Sequence, residues 1–309
     1  MRKKVIIDCD VGVDDALALI LAFHSPEVEV QAITGVNGNV PLDFVFMNIQ
    51  KVLSLIRPAF RPLIARGAAG PLKGPPVYAY SFHGEDGLGG AEIARKEGEE
   101  HWQTFSGRAD ELILEMAHQY PGELTLIAIG PLTNLALGLQ KDPEGMKRLK
   151  EVVIMGGAVR TRGNITPFAE FNFFVDPTAA KIVLESGLPI TLVSLDVTCQ
   201  VFLTPTLMEE KVKPFGTPFS EFVIQATGYD SVNHRFRLGR EGFHLHDPLA
   251  IGIVVNPDLV RKERLALCIE TQEGEQYGKV SEIKEGPGIE TCLGVNAEGF
   301  LELFLSRLG

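Results

Sequence analysis

The sequence predicts an α/β fold: a mostly parallel, open, Rossmann-like central sheet with helices on both faces, in a single domain over residues 1–309. Three observations predict it. Short β-branched runs alternate with longer apolar stretches of helical spacing, the pattern of βαβ units. The strand-like runs are continuously apolar rather than alternating, as strands covered on both faces must be. The chain is 45% hydrophobic and carries no repeat, low-complexity tract or linker-like break, so one large core is expected.

Each element follows from a local pattern. Lys4–Asp8 is a short β-branched run and reads as the first strand, followed by a helical stretch over Val13–His24. Val28–Val36 is again strand-like and Leu42–Ile56 helical. Further on come strand Leu124–Ile129, helix Leu132–Leu139, strand Glu151–Met155, helix Pro177–Ser186 and strand Pro189–Leu195. Asp176 before Pro177 marks a helix start, with an oxygen to cap the first N–H groups and a proline where no N–H is needed. Arg66–Gln103 interrupts the rhythm. It is rich in Gly and Pro, holds aromatics and His83, and reads as an ordered loop region beside a site. Pro205–Arg240 predicts two helices. Arg264–Thr271, Tyr277–Ile283 and Ile289–Val295 are strand-like, and Glu298–Leu308 closes the chain as a helix.

Composition excludes several classes. The net charge of −11 opposes non-specific binding to nucleic acid or to an anionic membrane. The apolar run before Asp8 is three residues long and four acids follow at once, so a secretory leader is not expected. The apolar stretch Ala16–Phe23 is too short to span a bilayer, and a soluble, cytoplasmic protein is expected. Cys9, Cys199, Cys268 and Cys292 show no CxxC spacing, which argues against zinc or redox motifs and for reduced thiols.

The densest chemistry lies after the first strand, where Asp8, Asp10, Asp14 and Asp15 fall within eight residues. In open α/β sheets, ligands bind at the carboxyl ends of strands. Helix caps and surface charge account for one or two of these acids. Four on one turn repel each other unless a cation sits among them, and carboxylates without Cys or clustered His select a hard one, calcium or magnesium. Downstream, Asn164, Glu170 and Asn172 lie within nine residues, and amides with a carboxylate pair well with sugar hydroxyls; an ordinary polar loop has the same composition. His246 precedes Asp247 in His-Asp-Pro, so Asp247 is a further metal ligand or a helix cap, and His246 a candidate proton donor.

Together these pieces resemble the nucleoside hydrolase family of the inosine-uridine and pyrimidine ribonucleoside type. The resemblance rests on Asp8-Cys9-Asp10-Val11-Gly12-Val13-Asp14-Asp15-Ala16, Gly35-Val36-Asn37-Gly38-Asn39-Val40, Ile129-Gly130-Pro131-Leu132-Thr133-Asn134, Met155-Gly156-Gly157, Ala169-Glu170-Phe171-Asn172 and His246-Asp247-Pro248-Leu249-Ala250, in this order over most of the chain. It implies hydrolysis of the N-glycosidic bond of a ribonucleoside, a small molecule without phosphate, by a calcium-dependent homodimer or homotetramer. Asp10, Asp15, Asp247 and the carbonyl of Ile129 are implied to hold Ca²⁺, with Asp10 doubling as general base. Asp14, Asn164, Glu170 and Asn172 are implied to grip the ribose, with Asn39, Met155 and Phe171 lining its pocket. His83 and His246 are implied to face the base, His246 as the leaving-group acid, and Tyr229 to close over it. The histidines suit inosine-uridine and pyrimidine-preferring members, whereas purine-specific ones stack the base on Trp; the one tryptophan, Trp102, lies in no matching motif.

Two other classes compete. A nucleoside- or ribose-binding protein without turnover keeps the same contacts but has no need of a base at Asp10. A magnesium phosphatase with an Asp-x-Asp turn calls for Thr or Ser shortly after it, where this chain has Gly12.

Overall fold

The computed structural model describes residues 2–93, 98, 100–228 and 242–309. Its strands are β1 (Lys3–Cys9), β2 (Val28–Gly35), β3 (Leu63–Arg66), β4 (Gln103–Arg108), β5 (Leu124–Ala128), β6 (Glu151–Met155), β7 (Ile190–Val193), β8 (Phe202–Leu203), β9 (Phe243–His244), β10 (Val260–Ile269), β11 (Val280–Ile283) and β12 (Gly288–Val295). Ten of them form one sheet in the order β11-β10-β12-β7-β6-β5-β1-β2-β3-β4, while β8 and β9 pair as a separate ribbon. Only β10 runs antiparallel, against both β11 and β12; the pairings from β12 across to β4 are parallel. The predicted single α/β domain with a mostly parallel open sheet is therefore what the chain forms.

Helices cover both faces. Val13–Phe23, Leu42–Ile56, His246–Val255 and Ala297–Ser306 pack into one apolar cluster, and Ala109–Gln119, Thr133–Lys141 and Pro177–Leu184 into the other. Val13–Phe23 is buried along almost its whole length, which explains why it is apolar all round beyond its first turn. Asp176 caps Pro177–Leu184 as expected, accepting a hydrogen bond from Ala179 N–H at 2.9 Å. No helix among the described residues is long and apolar enough to cross a membrane.

The differences from expectation have local causes. β3 begins directly after Pro62 and is four residues long, and β4 is an edge strand with mostly exposed polar residues. Neither presents the long apolar run by which the other strands are recognised. Phe171–Val175 is a short helix inside the segment that reads as a polar loop. Pro205–Leu207, Met208–Val212 and Lys213–Phe215 form successive α, π and 3₁₀ turns rather than one regular helix, and Pro218–Ala226 follows; the later part of the predicted second helix lies outside the described residues.

Strand order locates the site. From β1 the chain steps outward through β2, β3 and β4, then returns to the opposite side of β1 at β5 and continues to β6 and β7. The direction reverses between β1 and β5, so a crevice opens at their carboxyl ends. Asp10 follows β1, Asn37–Asn39 follow β2, Ile129 follows β5, and Met155 ends β6.

Candidate active site

The turn after β1 is built to hold carboxylates out of water. Asp8, Asp10 and Asp15 are 0% exposed and Asp14 is 8% exposed. Asp8 accepts hydrogen bonds from the Thr34 hydroxyl and from Asn134 Nδ2, so it braces the turn. Asp15 accepts from Gly12 N–H at 2.8 Å and Asp10 N–H at 3.1 Å, satisfying donors at the helix start, and from Asn39 Nδ2 at 3.1 Å. Asp10 accepts from Asn39 N–H through Oδ2 at 2.7 Å, while its Oδ1 has no protein partner. Gly38 permits this clasp, since a Cβ there would lie 2.0 Å from Asp10 Oδ2.

Across the crevice, His246–Val255 begins with its first turn facing these acids, and Asp14, Asp15 and Asp247 each offer a carboxylate oxygen within 4.8 Å of the others. Asp10 is not in that triplet; its backbone N–H donates to Asp15 Oδ1, and the charge of Asp15 acts on its carboxyl. Burial raises every pKa in the group: Asp10 and Asp247 well above the ordinary value and Asp14 to about 8, with neighbouring negative charges adding to it, and Asp15 in the same direction, there opposed by the hydrogen bonds it accepts. Burial likewise raises Asp8 to about 7.

This donor set fits a hard cation. It is made of buried carboxylate oxygens, and Asp10 Oδ1 and Asp14 Oδ1 are both buried with no hydrogen-bond partner. The Ile129 carbonyl accepts from Asn172 Nδ2 at 2.9 Å and keeps a second lone pair. Desolvating several carboxylates without a counter-charge is costly, and a divalent ion offsets that cost.

A cavity of about 360 Å³ opens beside the cluster. Eleven of the residues singled out in the sequence line it: Asp14, Asn39, His83, Ile129, Met155, Asn164, Glu170, Phe171, Asn172, His246 and Asp247. Asp10 and Asp15 do not line it and are wholly buried. Tyr229 lies outside the described residues.

The polar wall is rigid. Glu170 caps the helix Phe171–Val175 and accepts from Asn172, Phe173 and Gly157 N–H groups at 2.8–3.1 Å. Its raised pKa comes from burial, opposed by those three donors. Asn164 Oδ1 accepts from Phe171 N–H, and Asn172 Nδ2 also reaches the Met155 carbonyl. Asn164, Glu170 and Asn172 are thus fixed before any ligand arrives.

Rings form much of the rest of the lining. His246 is paired through Nδ1 with the Thr198 hydroxyl at 2.8 Å and stacks on His244 at 5.2 Å between centroids. Burial pushes its pKa down to about 3, with His244 and His83 adding to the effect, so the ring is neutral. Tyr78, Phe82, Phe243 and His244 line the same cavity and are absent from the sequence-derived set. A signal for His244 exists: in Phe243-His244-Leu245-His246 an extended chain turns both histidines to one side. Tyr78 and Phe82 belong to the aromatic loop region that the sequence marks only as a whole.

The chain matches the inosine-uridine preferring nucleoside hydrolase family over residues 5–302. It is 37% identical to an uncharacterized protein of Schizosaccharomyces pombe, over 99% of each chain. It is 35% identical to the pyrimidine-specific ribonucleoside hydrolase RihA of Salmonella typhimurium, over 100% of this chain and 99% of the relative. Among solved structures, a plant nucleoside hydrolase, PpNRh1, superposes with a TM-score of 0.90 at 29% identity, covering 100% of this chain and 99% of the other. The purine-preferring ribonucleoside hydrolase from Gardnerella vaginalis also gives 0.90 at 29% identity, covering 99% and 98%.

Proposed function

This chain belongs to the inosine-uridine preferring nucleoside hydrolase family, and we propose on that footing that it is a calcium-dependent enzyme acting preferentially on pyrimidine nucleosides and inosine. As a family member it is a hydrolase of ribonucleosides. The observation that carries the finer reading is one cavity that brings together buried carboxylates, an amide-and-carboxylate wall, and histidine and aromatic rings. Trp102, the one tryptophan, is buried in the core away from that cavity, which supports a base site formed by histidine, phenylalanine and tyrosine rather than by an indole.

Hydrolysis joins water oxygen to C1′ of the ribose as the C1′–N bond breaks and its electron pair leaves with the base. The base gains one proton and the water loses one. Asp10, Asp15, Asp247 and the Ile129 carbonyl would hold calcium, with the Asp14 carboxylate at the same cluster facing the sugar. When bound, the ion supplies Lewis acidity that makes water easier to deprotonate. Asp10 Oδ1, unpartnered while Oδ2 is held by Asn39, accepts the water proton. Asp14, Asn164, Glu170 and Asn172 orient the ribose and stabilise the positive charge that grows on its ring. Asn39, Met155 and Phe171 complete the sugar pocket. No carboxylate is assigned as a covalent nucleophile, so the configuration at C1′ inverts. His246 is neutral in the free site; in the tautomer in which the Thr198 hydroxyl donates to Nδ1, its Nε2–H is a hydrogen-bond donor to the departing base, and to pass a whole proton the ring first takes one up from water and returns from imidazolium to neutral imidazole as the base leaves.

Two measurements test this reading. Purified protein is expected to release ribose from uridine, cytidine and inosine faster than from adenosine and guanosine, and chelator is expected to stop all five. No ribose at micromolar enzyme with calcium present would leave only a binding role. His246→Ala is expected to slow uridine cleavage by about 10²–10⁴, the usual worth of general acid help, and p-nitrophenyl riboside far less, because that leaving group departs without a proton. Equal losses on both substrates would remove His246 from base departure.

A further inference from the structure

We propose that Asn48 is a positioning residue that locks the ring-bearing wall, residues 79–90, onto the aspartate turn. The inference rests on the reading above that His83 faces the base.

Asn48 lies in the helix Leu42–Ile56 and is 0% exposed. It does not line the cavity. Its Nδ2 donates to two carbonyls from different segments: Val11 at 3.2 Å, next to Asp10, and Asp86 at 2.7 Å, three residues past His83. The Asp86 carboxylate in turn accepts from Leu88 and Gly90 N–H groups, which folds 86–90 into a tight turn. Gly89 N–H within that turn donates to the His83 carbonyl at 2.8 Å, and His83 Nδ1 accepts from Val13 N–H at 3.0 Å. The hydrogen bonds form a closed circuit, from Val11 through Asn48, Asp86, Gly89 and His83 back to Val13. Ala79 N–H adds a tie to the Asn39 carbonyl at 2.9 Å.

The bonds fix the wall directly against the aspartates: His83 Nδ1 stands 3.9 Å from Asp14 Oδ1, and Phe82 lines the cavity beside it. A ligand whose sugar meets Asp14 while its base meets His83 needs that placement held. Asn48 supplies both bonds from a single rigid side chain, and the main chain presses close on it. Gly87, with φ +80°, is where a Cβ would lie 2.8 Å from Asn48 Nδ2 and 3.1 Å from the Val11 carbonyl. Removing the donors leaves two buried carbonyls without their partner, so the wall loosens from the turn.

The test uses the full chain with calcium and compares Asn48→Leu, Gly87→Ala, His83→Ala and the two doubles with His83→Ala. Asn48→Leu removes the donors at similar volume, and Gly87→Ala disturbs the same contact from the loop side, so either can carry the test if the other folds poorly. Each single variant is expected to raise the KM for uridine by about tenfold, the scale of one buried hydrogen bond, with kcat lowered less than threefold. Calcium affinity, read by calorimetry without substrate, is expected to stay within threefold of wild type. In the His83→Ala background the same substitutions are expected to add less than twofold, because residues acting through one another are non-additive. A full tenfold effect that persists without His83, or a parallel loss of calcium affinity, would overturn the positioning role. If His83→Ala leaves the uridine KM unchanged, the placement of His83 at the base fails and this inference with it. If His83→Ala raises the KM while Asn48→Leu and Gly87→Ala do not, that placement stands and the role of Asn48 alone is refuted.

Discussion

Asp10→Asn is expected to lower kcat for uridine by about 10²–10⁴ while the KM changes by less than a few fold, the size of effect that loss of a general base produces. The substitution is nearly isosteric. An amide oxygen placed at Oδ2 still accepts from Asn39 N–H, so the clasp over Gly38 survives. What changes is Oδ1, the buried oxygen with no protein partner, which becomes an NH₂ group and cannot take a proton. Asp10 is also assigned as a cation ligand, so removing its charge weakens cation binding as well as proton transfer. A calcium titration followed by ribose release separates the two. If saturating calcium restores the rate, Asp10 acts through the cation; if the rate stays low on a saturated site, Asp10 is the proton acceptor. A variant with wild-type kcat at ordinary calcium would remove Asp10 from the chemistry altogether.

The parts of this protein that were legible in the sequence are those whose physics is local. The strands β5, β6 and β7 and the end of β1 are buried on both faces and read as largely apolar runs, and β2 alternates only over Val28–Gln31 before it too becomes buried. Asp176 and Pro177 announce their helix because capping involves only neighbouring residues. β4 was not legible: as an exposed edge strand it owes its existence to pairing with β3, a contact between distant segments. The same division runs through the site. The motifs bring Asp14, Asn39, His83, Asn164, Glu170, Asn172 and His246 to one cavity. Which carboxylates converge was not legible, because spacing along a turn does not say where each oxygen points. Asp14 joins Asp15 and Asp247 in space, while Asp10 is drawn aside by Asn39. Thr198 escaped notice for a similar reason: its hydroxyl matters through a partner 48 residues away.

Removing divalent cations is expected to abolish ribose release and, separately, to make folding stability fall as pH rises. The activity loss follows from a site that gathers several buried carboxylates with no lysine or arginine paired to them among the described residues. The stability effect follows from the buried acids. Folding raises the pKa of Asp14 from 3.8 to about 8 and of Asp8 from 3.8 to about 7, and raises those of Asp10, Asp15 and Asp247 too. Between about pH 4 and pH 8 the folded, metal-free protein therefore holds more protons than the unfolded chain, and by linkage its stability declines across that window. Bound calcium supplies the positive charge that those protons otherwise supply, so the loaded protein escapes the decline. Thermal melts of chelated protein are expected to show Tm dropping from pH 5 to pH 8, at about 1.5 °C per kcal/mol lost, while the gap opened by added calcium widens over the same range. A chelated protein whose Tm rises toward pH 8 would mean that the acids ionise freely, without a cation, and that the cluster is not a metal site. Protons and cation also compete for the same oxygens, which links the two halves of the prediction. The calcium concentration needed for half-maximal ribose release should increase as pH falls from 8 to 5, because each ligand must shed its proton before it can bind the ion.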